Sequence, residues 1–226
     1  YDIGTRLLLE DQYGGVFFSS RDEGVLALET LQIHFSRSDL ADDALLHVAE
    51  HYAGDEVDDP YQASFSYLRL FEQYPESEWA EKALYQAGHQ MLRLVGGPRY
   101  NREGLMVAAG LLARCTREHP RGRFLHDARA DLETARTWLA AHHLLAGEFY
   151  AARESLEGEL VRLENAARAY PDTPAGREAL ARLTQRGGDS GGDSLDKERP
   201  TVRPWDDADS GYALLLEMGQ ASGARP

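Results

Sequence analysis

The sequence predicts an all-α protein, a right-handed superhelical solenoid of stacked helix pairs followed by a flexible C-terminal tail. Three observations predict it. A boundary pattern recurs four times without gaps, hydrophobic residues between boundaries follow a helical period, and strand-type alternation is nowhere sustained. The boundaries are Phe35-Ser36-Arg37-Ser38-Asp39-Leu40, Tyr74-Pro75-Glu76-Ser77-Glu78-Trp79, His119-Pro120-Arg121-Gly122-Arg123-Phe124 and Tyr170-Pro171-Asp172-Thr173-Pro174-Ala175. Nine residues after each leading ring stands an alanine: Ala44, Ala83, Ala128 and Ala179. The leading rings are 39, 45 and 51 residues apart, which suits a two-helix repeat with loops of variable length.

Each boundary has a physical reading. The ring closes one helix, and Pro75, Pro120 and Pro171 forbid its continuation because proline lacks an amide hydrogen. Ser38, Ser77 and Thr173 are placed to cap the next helix, with Pro174 at a tolerated first position. The repeated alanine makes a helix face small enough for close approach by a neighbour. Upstream of the boundaries, Leu28, Leu31 and Phe35, and then Tyr61, Phe65, Leu68 and Phe71, recur at helical spacing. In chain order the pattern predicts helices near 1–13, 22–35, 39–53, 60–74, 78–95, 103–118, 123–146, 148–169 and 174–184. Residues 54–59 form the turn inside the second pair, with Asp59 capping a helix opened by Pro60. Gly96-Gly97-Pro98 breaks the third pair, and Gly147 and Gly158 are the only weak points between Asp127 and Tyr170.

These helices place a tetratricopeptide-like domain of about four pairs and a terminal helix over residues 1–185, and a low-complexity linker and tail over 186–226. Arg186-Gly187-Gly188-Asp189-Ser190-Gly191-Gly192-Asp193-Ser194 reads as flexible linker. Beyond it, Tyr212-Ala213-Leu214-Leu215-Leu216-Glu217-Met218 is a short apolar segment expected to fold back on the helices or cap their open end, the alternative being a short recognition element.

Composition excludes several function classes. With 24 Lys and Arg against 38 Asp and Glu in 226 residues, a net charge of −14 leaves no cationic surplus for nucleic-acid phosphates. The single cysteine, Cys115, excludes an intrachain disulfide framework and a cysteine-based zinc site. No apolar run reaches the length of a membrane-spanning helix. The opening Tyr1, in place of Met, leads us to expect an upstream segment, such as a signal peptide with a lipid-anchor cysteine.

Motifs that imitate catalytic sites have simpler readings. His47-Val48-Ala49-Glu50-His51 puts two imidazoles one helical turn apart, as zinc helices do. Ala44 already fixes the register of that helix, and no third ligand is signposted downstream. Gly188-Asp189-Ser190-Gly191-Gly192 spells the sequence around a serine-protease nucleophile, but it stands in a Gly/Ser/Asp-rich linker after helices. Asp55, Glu56, Asp58 and Asp59 lack the alternation and central glycine of a calcium loop and read as a solvated turn and cap. His142 and His143 are adjacent on a helix and point apart. Cys115 reads as a buried small apolar residue. Gly96-Gly97-Pro98-Arg99 follows a helix and has no phosphate-loop Lys-Ser/Thr. Phe35, Tyr74 and Tyr170 read as packing between repeats. We therefore predict no catalytic, metal or cofactor-binding residues and no cofactor, and assign no partner-binding residue.

The boundaries with their spaced alanines resemble tetratricopeptide repeats of the variety found in BamD-like outer-membrane assembly lipoproteins. The strongest local matches are Tyr170 to Ala175 and Gln73 to Leu84. The long helix through Leu132, Ala135, Trp138 and Leu139, and the opening Tyr1-Asp2-Ile3-Gly4, are also similar to that family. The loop 96–102 and the stretch Glu148 to Tyr170 depart from its repeat length. The resemblance covers about 1–184 and implies a non-catalytic scaffold, lipid-anchored at the periplasmic face of the outer membrane. Its implied partners are a BamA-type barrel assembly protein and unfolded outer-membrane protein clients. The competing expectation is another tetratricopeptide adaptor, cytoplasmic or periplasmic, outside barrel assembly.

Overall fold

The four boundaries repeat atom for atom. In each, the amide of the leading residue closes the preceding helix, donating to the carbonyl four residues back: Phe35 to Leu31, Tyr74 to Leu70, His119 to Cys115 and Tyr170 to Ala166. In each, the amide three residues on donates back to the leading carbonyl, at 2.8 Å for Ser38, 3.0 Å for Ser77, 3.0 Å for Gly122 and 3.1 Å for Thr173. The four spaced alanines are completely buried. The sequence repeat is therefore a repeat of backbone geometry, with a methyl-sized contact following each turn.

The computed structural model describes Thr5, residues 20–99 and residues 101–189. Among the described residues there are eight helices of four residues or more and no strand. They are α1 (Ser20–His34), α2 (Ala41–Ala53), α3 (Pro60–Gln73), α4 (Ala80–Val95), α5 (Arg102–Glu118), α6 (Leu125–Ala151), α7 (Leu156–Ala169) and α8 (Pro174–Asp189). The expected helix over 1–13 and the tail beyond 189 lie outside the described residues, apart from Thr5, which is helical. By their backbone contacts the helices group into two units. One comprises the chain up to Leu94 with Arg114–Ala128, and the other comprises Val95–Ala113 and the chain from Arg129 onward.

In the first unit α1 packs on α2 and α2 on α3. Val25 and Leu28 meet Ala44 and Val48, with Leu31 and Tyr52 packed against them. Asp59 accepts the Gln62 amide at 3.0 Å and Pro60 opens α3, as expected. Helices α3 and α4 come close enough for the buried Ser64 hydroxyl to donate to the Ala87 carbonyl at 2.8 Å. Successive turns are stitched through carboxylates on α2 and α4. Asp42 accepts from the Ser77 hydroxyl (2.6 Å), Asp43 from the Trp79 indole (2.8 Å) and Glu81 from the Phe124 amide (2.7 Å). Gly122 makes the last contact possible, since a Cβ there would collide with the Glu81 carboxylate.

In the second unit α7 packs on α8 through Leu163, Ala166, Ala179 and Leu183, with Leu144 of α6 against them. Asn101 caps α5 by accepting the Gly104 amide at 2.9 Å, and Thr173 caps α8 by accepting the Gly176 amide at 3.1 Å. The break before α5 uses left-handed backbone at Gly96 (φ 65°).

Four expectations are corrected. Ser38 and Ser77 do not cap helices. Their hydroxyls accept amides only two residues on, from Leu40 and Trp79, and α2 and α4 start three residues after them. Gly147 does not end a helix either: α6 passes through it and stops at Ala151. Helix α7 packs beside it, and a Cβ at Gly147 would make ordinary van der Waals contact with Arg162 and Leu163 at 3.6 Å. The interruption falls at 152–155, where Glu154 takes left-handed backbone (φ 59°). Finally, α8 runs to Asp189 rather than 184. Its last turns are held by Arg182 on Glu148 and Arg186 on Glu159, both at 3.0 Å.

Candidate interaction surface

The residues that imitate catalytic motifs are engaged in structure. Glu50 pairs with Lys82 at 2.5 Å, His47 lies 3.8 Å from the same carboxylate, and the His51 ring meets Tyr52 edge-on. Asp58 pairs with Arg93 at 2.6 Å, and Asp59 is the α3 cap. Cys115 is buried, and burial together with Glu81 and Glu118 pushes its thiol up to about 12, where it stays protonated and unreactive. His142 and His143 do point apart. His142 Nδ1 lies 2.9 Å from the Pro98 carbonyl, while His143 is 5% exposed with its ring tilted against Tyr170. Burial, then Arg102, His142 and Arg162, bring His143 down to about 4, so it is neutral near pH 7. Among the described residues no three His, Cys, Asp or Glu side chains are placed to share a metal ion.

The ring series is only partly packing. Tyr170 is fully buried, and Tyr74 is half-buried with its hydroxyl donating to the Ser36 carbonyl at 2.9 Å. Phe35 is largely exposed, which corrects the expectation for it. Tyr74 has the preceding boundary turn to rest on; Phe35 belongs to the first boundary of the described residues.

Among the described residues the most exposed apolar side chains include one group in each unit. In the first unit Leu26, Ile33 and Phe35 face solvent at the outer side and end of α1, with Ile33 66% exposed and Leu40 also uncovered. Leu26 and Ile33 are seven residues apart, two helical turns, and so share one face. In the second unit the turn between α6 and α7 exposes Phe149 and Leu156, at 51% and 52%. Beside them an open cleft of about 330 Å³ is lined by Tyr150, Ser155, Gly158, Val161 and Arg162 with Glu157. Gly158 seats the Tyr150 ring, since a Cβ there would meet it at 2.6 Å. The Arg153 guanidinium lies over Phe149 at 3.6 Å and that of Arg162 over Tyr150 at 5.9 Å. Sequence reasoning missed both patches. The one available signal was Phe149 four residues before Arg153, a spacing that stacks the two on a helix face.

No helix among the described residues is long and apolar enough to cross a membrane. The family model described as "YfiO: Outer membrane lipoprotein" matches residues 19–199. The outer membrane protein assembly factor BamD of Pasteurella multocida (strain Pm70) is 26% identical over 190 residues, covering 80% of this chain and 69% of that protein. The repeated boundary turns and the 27-residue α6 are the features on which the sequence resemblance rested, and the match spans all eight helices. The chain belongs to the YfiO family of outer membrane lipoproteins.

Proposed function

We propose that this chain is a non-catalytic interaction scaffold of the machinery that assembles outer-membrane β-barrel proteins, held at the periplasmic face of the outer membrane by a lipid anchor. The observation that carries the reading is the family match over 19–199, supported by the assembly-factor relative. The physics of the fold agrees. A single helix pair cannot bury its own apolar face, so pairs pack on neighbours and offer long side-chain surfaces suited to polypeptides. The partners are a BamA-type barrel assembly protein and unfolded barrel precursors. The exposed side chains of α1, Leu26 and Ile33 on one face and Phe35 at its end, are the surface we assign to a protein partner, because exposed apolar side chains are what such a partner would cover.

The test is capture from detergent-solubilised envelopes of the source cell with the full chain as bait. The reading expects enrichment of a BamA-type barrel protein and its reduction by Ile33→Asp with Phe35→Asp, two exposed positions whose replacement leaves the core intact. Recovery of soluble proteins alone by a folded bait would turn the assignment to a peptide adaptor outside barrel assembly. Barrel-protein capture unchanged by the double substitution would keep the role and move the contact off α1.

A further inference from the structure

The cleft at the α6–α7 turn has an occupant within reach in its own chain. Tyr150 and Arg162 line it with Glu157 and stand ring against guanidinium, and Phe149 with Arg153 over it makes the same pairing in the adjoining turn. Neither arginine has a carboxylate partner among the described residues. The neighbouring acids Glu148 and Glu159 are taken by Arg182 and Arg186 of α8, and Glu157 is the one carboxylate among the residues that line the cleft. The same two ion pairs fix where α8 ends. Helix α7 leaves the turn, α8 returns antiparallel to it, and Arg186 meets Glu159 one turn into α7. The chain beyond Asp189 therefore departs from the end of the helix pair at which the cleft opens.

That chain carries the complementary chemistry. Trp205 and the apolar run Tyr212 to Met218 flank Asp206, Asp207 and Asp209, and residues 205–218 contain four carboxylates, counting Glu217, and no Lys or Arg. Residues 190–204 link this segment to α8. Those 15 residues can span at most roughly 50 Å. A tether of that reach holds the segment at an effective concentration on the order of millimolar, so weak complementarity is enough for docking.

We propose that residues 205–218 dock into the α6–α7 cleft, with apolar side chains covering Phe149 and Leu156 and the aspartates facing Arg153 and Arg162. The tail then acts as an internal competitor for this end of the protein, and a partner that binds here must displace it. The inference does not depend on the barrel-assembly role.

Photo-crosslinking of the full chain tests it, with p-benzoylphenylalanine in place of Phe149. Exposure of Phe149 makes the replacement mild, and circular dichroism checks the helices. Expected is an intramolecular adduct mapping within 205–218, isotopically unmixed when labelled and unlabelled chains are combined. Adducts to any other segment, or mixed between copies, overturn the proposal. So does capture of 205–218 by the same probe at Leu180, exposed on α8, in place of capture at Phe149. In the Phe149-probe chain, Asp206→Asn, Asp207→Asn and Asp209→Asn together are expected to lower the adduct yield about threefold, since each exposed ion pair contributes little. An unchanged yield overturns the pairing with Arg153 and Arg162.

Discussion

The boundary turns at Tyr74 and Tyr170 share their backbone bonds and differ in how the next helix begins. Both close a helix with the ring residue and return an amide to its carbonyl three residues on. After Tyr74, the Ser77 hydroxyl turns outward to Asp42, and α4 waits until Ala80. After Tyr170, the Thr173 hydroxyl turns inward, donating to the Tyr170 carbonyl at 2.8 Å and accepting from Gly176, and α8 starts at once on Pro174. Proline sets the early start, because its fixed φ already suits the first helical position. The early start then presses the sixth residue after the ring against the turn, where a Cβ on Gly176 would overlap the Tyr170 carbonyl oxygen. The equivalent sixth residue after Tyr74 is Ala80, which keeps its methyl buried. One turn geometry thus accepts two helix starts, and the choice is set by a proline and a missing methyl.

The largest effect expected from this contrast is Gly176→Ala. The clash is with backbone, which cannot rotate away, so the substitution should destabilise by about 3 kcal/mol, the upper end for overpacking. The mirror change, Ala80→Gly, should cost about 1 kcal/mol, through helix propensity and a lost methyl. Urea unfolding followed by circular dichroism compares them. Equal costs would show that the two turns do not differ as described.

Acid should separate the turns next. Tyr170 rests against His143, whose folded pKa of about 4 is below the ordinary 6.5. The unfolded chain therefore takes up the proton first. Stability from the neutral imidazole is complete above pH 6.5 and drains away as the pH falls towards 4, by up to about 3 kcal/mol. Hydrogen exchange, corrected for the intrinsic rate, should show the amides of Thr173 and Gly176 losing protection over that window. Those of Ser77 and Ala80 should hold. His143→Gln should flatten the response, and simultaneous loss at both turns would refute a local origin.

The same division separates the legible parts of the chain from the rest. Rings, prolines and alanines carry their structural meaning within a few residues, so all four boundaries were legible, as were the Asp59 cap and Cys115 as a buried apolar residue. The α6–α7 turn was not. Glycine is the usual breaker, yet Gly147 stands inside α6, while the break rests on Glu154, a residue type with no preference for left-handed backbone. The Ser77 hydroxyl was misread because its acceptor, Asp42, lies 35 residues away. The exposed patches were hidden for another reason. Leu26 and Leu28 stand two residues apart in one amphipathic helix, and only packing tells the exposed one from the buried one.

The two hydroxyls give a smaller and sharper contrast. Thr173→Ala removes a buried helix cap and leaves the Gly176 amide without its acceptor, a loss of about 1–2 kcal/mol. Ser77→Ala removes a half-exposed bond to a carboxylate that water can replace, and about 0.5 kcal/mol is expected. A greater loss at Ser77 would mean that the stitching to Asp42, and not the cap, holds such turns.

The last effect should be a gain, comparable in size to that of Ser77→Ala, at a turn built without proline or glycine. After α6, the Ser155 amide reaches the Tyr150 carbonyl and the Glu154 amide the Ala151 carbonyl, the paired bonds of a left-handed helix stop. That stop normally uses glycine, because a side chain in this conformation costs about 1–2 kcal/mol. Glu154→Gly removes this cost but gives the unfolded chain more freedom, so the net stabilisation should be about 0.5–1 kcal/mol. Glu154→Ala, which keeps a Cβ, should gain nothing. If the two substitutions behave alike, the left-handed residue carries no strain. The turn would then be held by its hydrogen bonds alone.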